Sequence, residues 1–310
     1  MKIVEPYVKL LKFDNIYDRI EYATRNCYKS QKSDTSEKRD NFIIDKIEKN
    51  HLSVLEHSNI PLVWNFSKDE IDDAVYIYQW LQAVRGESGA KVYISLSKLQ
   101  QAIIISGNVR AWIDLFSYDL KYSPLFNEGF LDMLETALSK EHPMFFLDRN
   151  ILPVGDIRTI TEEDAILHDF IHATMTFEIL TDRATSHQIV RHRVFSYAQE
   201  SQRYCNYSRQ KFDNNVNFIL NDVDEETKDV MLYSLGLAEN TYMKLLDNKV
   251  PPETARMVLP NATATTIIMS GRVLDFADFV DKRTIPAAQG PIRKIAEEIN
   301  KAILEYMKGN

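Results

Sequence analysis

A mixed α and β protein is the fold class this chain predicts, and three observations lead there. Apolar residues alternate with polar ones over 60–66 and again over 175–179, which is the period of a strand. Other stretches, 42–49 and 109–116 among them, repeat their apolar residues at helical spacing. A strand, turn and helix order also recurs: IIISGNV at 103–109 and IIMSGRV at 267–273 agree at five of seven positions, an internal echo shorter than a structural repeat.

The composition fits that class. At 310 residues the chain buries roughly three quarters of the surface its unfolded form exposes, enough for a real core. Hydrophobic content of 45% and charged content of 26% describe a soluble globular protein without low-complexity tracts. A net charge of −8 argues against general nucleic-acid binding, which shows as a basic face. No apolar run approaches 18 residues, so no membrane partner is expected and the expected compartment is the cytoplasm. Cys27 and Cys205 are too few and too far apart for a disulfide framework or a metal site.

In chain order, strands are expected at 2–4 and 8–11 and a helix at 16–28, followed by a polar bridge over 29–40. A helix over 42–49 leads into HLSVLEH at 51–57 and then the alternating strand 60–66, half-buried, with Pro61 near one end. From 68 to about 161 the pattern is mainly helical and broken by turn clusters at 85–90, 121–124 and 152–156. Inside it, 102–105 reads as a strand, 106–108 as a turn and 109–116 as a helix with Val109, Trp112, Ile113 and Phe116 on one face. A strand ending at Leu180 is expected to deliver a helix capped by Thr181 and continuing through Arg191, with Ala184, Gln188 and Arg191 on one ridge and His187 beside them. A long amphipathic helix follows at 226–247. Pro251 and Pro252 begin another that stops before Pro260, and the second strand, turn and helix occupy 262–283. The last helix, 291–307, buries Ile292, Ile295, Ile299 and Ile303.

The chemistry concentrates at 181–207, TDRATSHQIVRHRVFSYAQESQRYCNY. Arg183, Arg191, Arg193 and Arg203, with Arg209 just beyond, face only Asp182 and Glu200, and the stretch has no lysine. A solvated face of surface ion pairs fails for want of acids, so the surplus points to an anion. Arginine in particular suits bidentate recognition of phosphate or carboxylate. His168 and His172 lie one turn apart without a third ligand, so no metal is expected. Neither GxGxxG nor GxxxxGK[ST] occurs. Ser196, Ser201 and Ser208 lie outside any GxSxG and read as hydrogen-bond donors to a ligand. Cationic neighbours would activate the Cys205 thiol, but a small buried filler is the better reading of that residue.

RHRVFSYAQES at 191–201 is Arg-His-Arg, seven residues, then Ser, and it resembles the signature of the flavin-dependent thymidylate synthases. SHQIVRHR, SQRY, HLSVLEH and ARMVLPNAT followed by Arg283 are similar to that family in the same order, over 1–67 and about 165–300. The resemblance implies an α/β (α+β) fold of the family's own type, with a central mixed or antiparallel sheet and helices. It makes 1–310 a single domain carrying a mostly helical insertion at about 68–163. It also implies a homotetramer with shared active sites, FAD as cofactor, and reductive methylation of dUMP to dTMP. Methylenetetrahydrofolate would give the carbon, and NADPH would reduce the flavin.

Carried over by position, Ser53, Arg191, His192, Arg193, Gln199, Arg272 and Asp278 would bind FAD. Gln188, Arg191, Gln199, Glu200, Ser201, Gln202, Arg203, Arg256 and Arg283 would line dUMP. Arg283 would stabilise charge on the uracil ring, and His51 would stand near flavin and folate as a polar gate or proton carrier. The chain departs from the family at Gln199, where many members have Glu, and at Arg272 and Asp278, where neutral or basic residues are usual. The insertion departs too, and its Asn108 is expected to take over part of what Arg272 lacks. Three rival readings follow: a related one-carbon transferase, for example hydroxymethylating a pyrimidine nucleotide; a flavin or nucleotide binder without turnover; and a methyltransferase using the Cys205 thiol.

Overall fold

The structure is a computed structural model, and it describes residues 1–117, 128–146 and 157–309. In chain order, β1 (Lys2–Ile3), β2 (Tyr7–Leu11), α1 (Ile16–Tyr28) and α2 (Ser36–Glu48) come first. After a 3-10 turn at Leu52–Glu56 follow β3 (Ile60–Asn65), α3 (Ile71–Ser88), β4 (Tyr93–Ser97), β5 (Ala102–Gly107) and α4 (Val109–Phe116). Next are α5 (Glu128–Glu141), β6 (Ile157–Thr159), α6 (Glu162–His168), β7 (Thr174–Asp182), α7 (Arg183–Ile189) and β8 (Ser196–Gln199). The chain closes with β9 (Asn217–Phe218), α8 (Glu225–Asp247), α9 (Pro252–Ala255), β10 (Ala264–Arg272), α10 (Val273–Arg283) and α11 (Gly290–Gly309). These elements form two compact units: Met1–Lys12, Glu21–Ser33 and Met175–Asn310 make the first, Phe13–Ile20 and Asp34–Thr174 the second.

The second unit holds an antiparallel four-stranded sheet in the order β4-β5-β3-β6. Ile60 to Val63 are buried on both faces rather than half-buried as the alternation suggests, because Ile60 and Leu62 join the main core while Val63 packs with Ile104 and Ala165 of α6 in a second cluster. Pro61 lacks an N–H to donate, yet its carbonyl accepts from the Ile160 N–H at 3.1 Å. Trp112 of α4 is fully buried and donates its indole N–H to the Ile60 carbonyl at 3.1 Å, so one side chain ties helix to sheet. Among its described residues the stretch 68–163 is helical for the larger part, but it also supplies β4, β5 and β6, three of the four strands of this sheet. Helix α2 begins at Ser36, inside the expected polar bridge, because the Thr35 hydroxyl caps the Lys38 N–H at 3.3 Å. The turn clusters at 121–124 and 152–156 lie outside the described residues.

In the first unit the sheet order is β2-β7-β10-β8, with β2 antiparallel to β7 and β8 antiparallel to β10. Helix α1 lays Ala23 against Ala198 and Ile268 on one face. On the other side of β7 from Glu178, Phe177 meets Phe276 of α10 with ring centroids 4.9 Å apart, and Phe195 joins Phe276 at 4.6 Å. A separate parallel pair joins β1 to β9. Strand β7 runs two residues further than expected, and Asp182 rather than Thr181 caps the next helix. The Asp182 carboxylate accepts from the Thr185 N–H at 2.8 Å and from the Thr185 hydroxyl at 2.7 Å, while Thr181 is buried inside the strand. Helix α7 ends at Ile189, so Arg191 stands in the turn after the helix and not on its ridge. Among the described residues no helix is long and apolar enough to cross a membrane.

Candidate functional site

The site is built where α7, the following turn, β8 and α10 meet in the first unit. Tyr197 on β8 holds the turn: its hydroxyl lies 2.8 Å from the carbonyls of both Ile189 and His192. Thus fixed, the turn brings His192 to Arg283, the last residue of α10. Arg283 Nε donates to His192 Nε2 at 2.9 Å, and Arg283 Nη2 reaches the Gln188 carbonyl at 3.4 Å. A nitrogen that accepts from a guanidinium carries no proton, so the His192 imidazole is neutral in this arrangement. Burial first, then the Arg283 and Lys282 charges, keep its pKa below the ordinary histidine value. Its ring packs edge-on against Phe279 at 4.8 Å.

Arg191 and Arg193 flank that imidazole, both exposed, and among the described residues their side chains make no ion pair or hydrogen bond. Two permanent cations left without an acid are what a phosphate-bearing group needs. The other arginines of the stretch are already engaged. Arg183 Nη1 lies 3.4 Å from the Glu200 carbonyl and from the Thr265 hydroxyl. Arg203 Nε stands 3.8 Å from the Glu253 carboxylate and covers the Tyr204 ring, while Arg256 Nε donates to the Glu253 carbonyl at 3.2 Å. Glu253 therefore gathers two of the expected dUMP arginines, a junction that no spacing in the sequence announces.

Gln199, the last residue of β8, and Glu200, which follows it, face opposite ways. Gln199 donates to the Ser186 hydroxyl at 2.8 Å and the Thr265 hydroxyl at 3.2 Å, whereas the Glu200 carboxylate accepts from the Tyr207 hydroxyl at 2.7 Å. The Ser201 N–H donates to the Cys27 carbonyl at 3.0 Å, and its hydroxyl accepts from the Arg203 N–H at 3.3 Å. Gln202 is half-buried in the turn after β8, and Gln188 hydrogen-bonds Gln289. Arg272 forks Nε and Nη2 onto Asp275 at 2.9 and 2.7 Å, and Asp278 pairs with Lys282 at 2.6 Å on the solvent-exposed side of α10, so both expected flavin contacts have partners within the chain. His51 and Ser53, both exposed at the 3-10 turn Leu52–Glu56, belong to the second unit. His172 lies between the hydroxyls of Ser106 at 2.7 Å and Ser95 at 2.8 Å, and His168 hydrogen-bonds Gln100. Among the described residues no group of three or more His, Cys, Asp or Glu side chains could hold a metal.

Comparison with known proteins decides the family. Residues 159–307 match the family model described as thymidylate synthase complementing protein. The flavin-dependent thymidylate synthase of Geobacter sulfurreducens is 34% identical over 174 residues, 56% of this chain and 70% of that protein. The chain belongs to the flavin-dependent thymidylate synthase family. Its counterpart from Sulfurisphaera tokodaii is 35% identical over 161 residues, 46% of this chain and 61% of that protein. Among solved structures, a UMP/dUMP methylase PolB from Streptomyces cacaoi bound with 5-Br UMP overlaps 44% of this chain and 70% of its own. That overlap has a TM-score of 0.39 and 22% identity, too loose to carry weight. The family match takes in every expected site residue from Gln188 to Arg283 and leaves out His51 and Ser53.

A flavin fits part of this constellation. Arg191 and Arg193 offer unpaired guanidiniums for its phosphates, with neutral His192 between them, whereas Arg272 and Asp278 would first have to leave Asp275 and Lys282. A thiol mechanism finds no support: burial, ahead of the Glu200 charge, pushes Cys205 up to about 12, and burial pushes Cys27 up to about 11.

Proposed function

We propose that this protein converts dUMP to dTMP by reductive methylation, taking its carbon from methylenetetrahydrofolate and its reducing equivalents from NADPH. The observation that carries this reading is the meeting of Gln188, His192 and Arg283, three motif residues drawn from two separate segments, beside two guanidiniums with no acid of their own. FAD, when bound, supplies the hydride chemistry. Arg191, His192 and Arg193 would hold it, with Ser53 and Gln199 beside it. Arg272 and Asp278 would join only after exchanging their present partners.

For the nucleotide, Ser201, Gln202, Arg203 and Arg256 form the phosphate end, and Gln188 and Gln199 orient the base. Glu200 anchors the run that precedes Ser201, since its N–H donates to the Thr266 carbonyl at 2.8 Å. Arg283 stays charged at every working pH and stabilises negative charge as the N3 side of the uracil ionises. Neutral His192 accepts from Arg283 and keeps that guanidinium aimed. His51 serves as a polar gate or proton carrier, and the active unit is a homotetramer.

The test is a purified protein with a flavin spectrum that NADPH bleaches, and dTMP identified by mass from dUMP and methylenetetrahydrofolate. Cys205→Ala retains turnover, and Arg283→Ala loses at least about a hundredfold in kcat/KM, the scale of removing one charge-stabilising donor. A hydroxymethylated product would replace this reading with the related transferase. A yellow protein that does not oxidise NADPH with dUMP present would leave only a binding function.

A further inference from the structure

On the α1 side of the first unit's sheet lies a pocket of about 530 Å³, the size that takes a small organic ligand. Two carboxylates line it, and each is held by tyrosines. Glu178 accepts from the Tyr7 hydroxyl through Oε1 at 2.8 Å and from the Tyr22 hydroxyl through Oε2 at 2.5 Å. Glu200, only 7% exposed, accepts from Tyr207 through Oε1, while its Oε2 has nothing nearer than the Thr266 N–H at 3.5 Å and Lys29 Nζ at 3.7 Å. Both contacts are long, so this buried oxygen keeps room for a further donor.

We propose that this pocket binds a guanine mononucleotide, separately from the pyrimidine nucleotide of the proposed reaction. Each Glu178 oxygen keeps one acceptor direction beyond its tyrosine, and the tyrosines prevent the carboxylate from turning. Two fixed, adjacent acceptors match two adjacent N–H donors. Guanine has that edge in its ring N1–H and 2-amino group, whereas adenine and cytosine set a donor beside an acceptor, and uracil has a single N–H between two carbonyls. Glu200 Oε2, held only by those long contacts, takes a further donor from the same ligand. Tyr22, Tyr207 and Phe212 supply aromatic walls. Arg25, Lys29, Lys32 and Lys211 also line the pocket, so four cations stand against two carboxylates and favour a ligand with an anionic tail.

The deciding measurement is calorimetric titration of the full chain carrying FAD and saturated with dUMP. Guanosine 5′-monophosphate binds under those conditions. Inosine 5′-monophosphate, which lacks the 2-amino group, binds at least about tenfold more weakly, because a site built to hydrogen-bond a donor rejects its absence. Glu178→Gln puts a donor where an acceptor is needed and lowers guanosine 5′-monophosphate affinity by a similar factor, with dTMP formation unchanged. Should Glu178→Gln fail to fold, exposed Lys32→Ala decides: it weakens the monophosphate but not guanosine. Absence of binding once dUMP is bound, equal binding of the inosine nucleotide, or unaltered affinity in the variant that folds would overturn the proposal. Failure of the proposed reaction would register separately, as absence of dTMP without any guanine nucleotide added.

Discussion

The two strand-to-helix junctions that echo each other in sequence, 103–109 and 267–273, solve one local problem in different ways. At the first, Asn108 caps α4 by accepting from the Ala111 N–H at 2.8 Å. At the second, Arg272 holds the capping position but has no acceptor to offer, and its guanidinium forks instead onto Asp275 in the first turn of α10. Each junction has a glycine before the cap, and there too the surroundings differ. A Cβ on Gly107 would stand 2.9 Å from a Val92 methyl, while one on Gly271 would stand 2.5 Å from the Phe195 ring. Five shared residues of seven thus specify the turn of the chain. The partner across the turn decides what each side chain then does.

The largest effect separating the junctions is expected at the glycines. Gly271→Ala forces the Phe195 ring against Phe276, Phe279 and Tyr197 and costs about 3 kcal/mol, whereas Gly107→Ala, against one methyl, costs about 1 kcal/mol. Urea unfolding of both variants checks the order, and equal losses would break the contrast. Next comes the cap. Asn108→Ala loses about 1 kcal/mol of stability. It leaves flavin affinity unchanged, since the side-chain oxygen already serves Ala111, and a fall in flavin affinity measured by fluorescence would restore Asn108 as a cofactor contact.

Smaller still is Arg272→Asn, which copies the first junction into the second. The new cap offsets the lost fork, so unfolding free energy stays within about 1 kcal/mol of the parent. The finest difference lies at the far end of α10, where Arg283 meets His192. Burial and the neighbouring cations depress the folded-state pKa of this imidazole below its unfolded value. The neutral ring therefore contributes stability that is present above the ordinary histidine pKa and is lost as pH falls from there toward the folded value. Arg283→Ala raises the His192 pKa, read by NMR titration of the ring. A pKa that does not move would mean that Arg283 is not seated on His192 in solution.

Residue order alone carried much of this far. The span of α1 and the start of α10 after Arg272 follow from periodicity and turn residues that act within a few residues of one another, whereas the turn that carries Arg191 did not, since helical spacing alone ran on through it. Errors fell where a neighbour in sequence competed for the same role. Thr181 and Asp182 both suit a cap, and the carboxylate takes it because the strand buries the threonine. Helix α2 reaches back into a run of charges that looked like a bridge, since charged residues are ordinary on a solvated first turn.

Arginine count and spacing were enough to announce an anion site, because permanent charge without nearby acids needs no fold to be noticed. Which arginines remain available was settled only by folding. Arg183 and Arg203 find oxygens from distant segments, Arg272 finds Asp275 three residues on, Arg191 and Arg193 find none among the described residues, and Arg283 comes from 91 residues away to meet His192. The same holds for Glu178, one unremarked acid in a strand, which becomes half of a two-carboxylate pocket once α1 brings Tyr22 to it. Hydrogen bonds and ion pairs depend on distances of about 3 Å, and those between remote residues exist only after the backbone has brought them together.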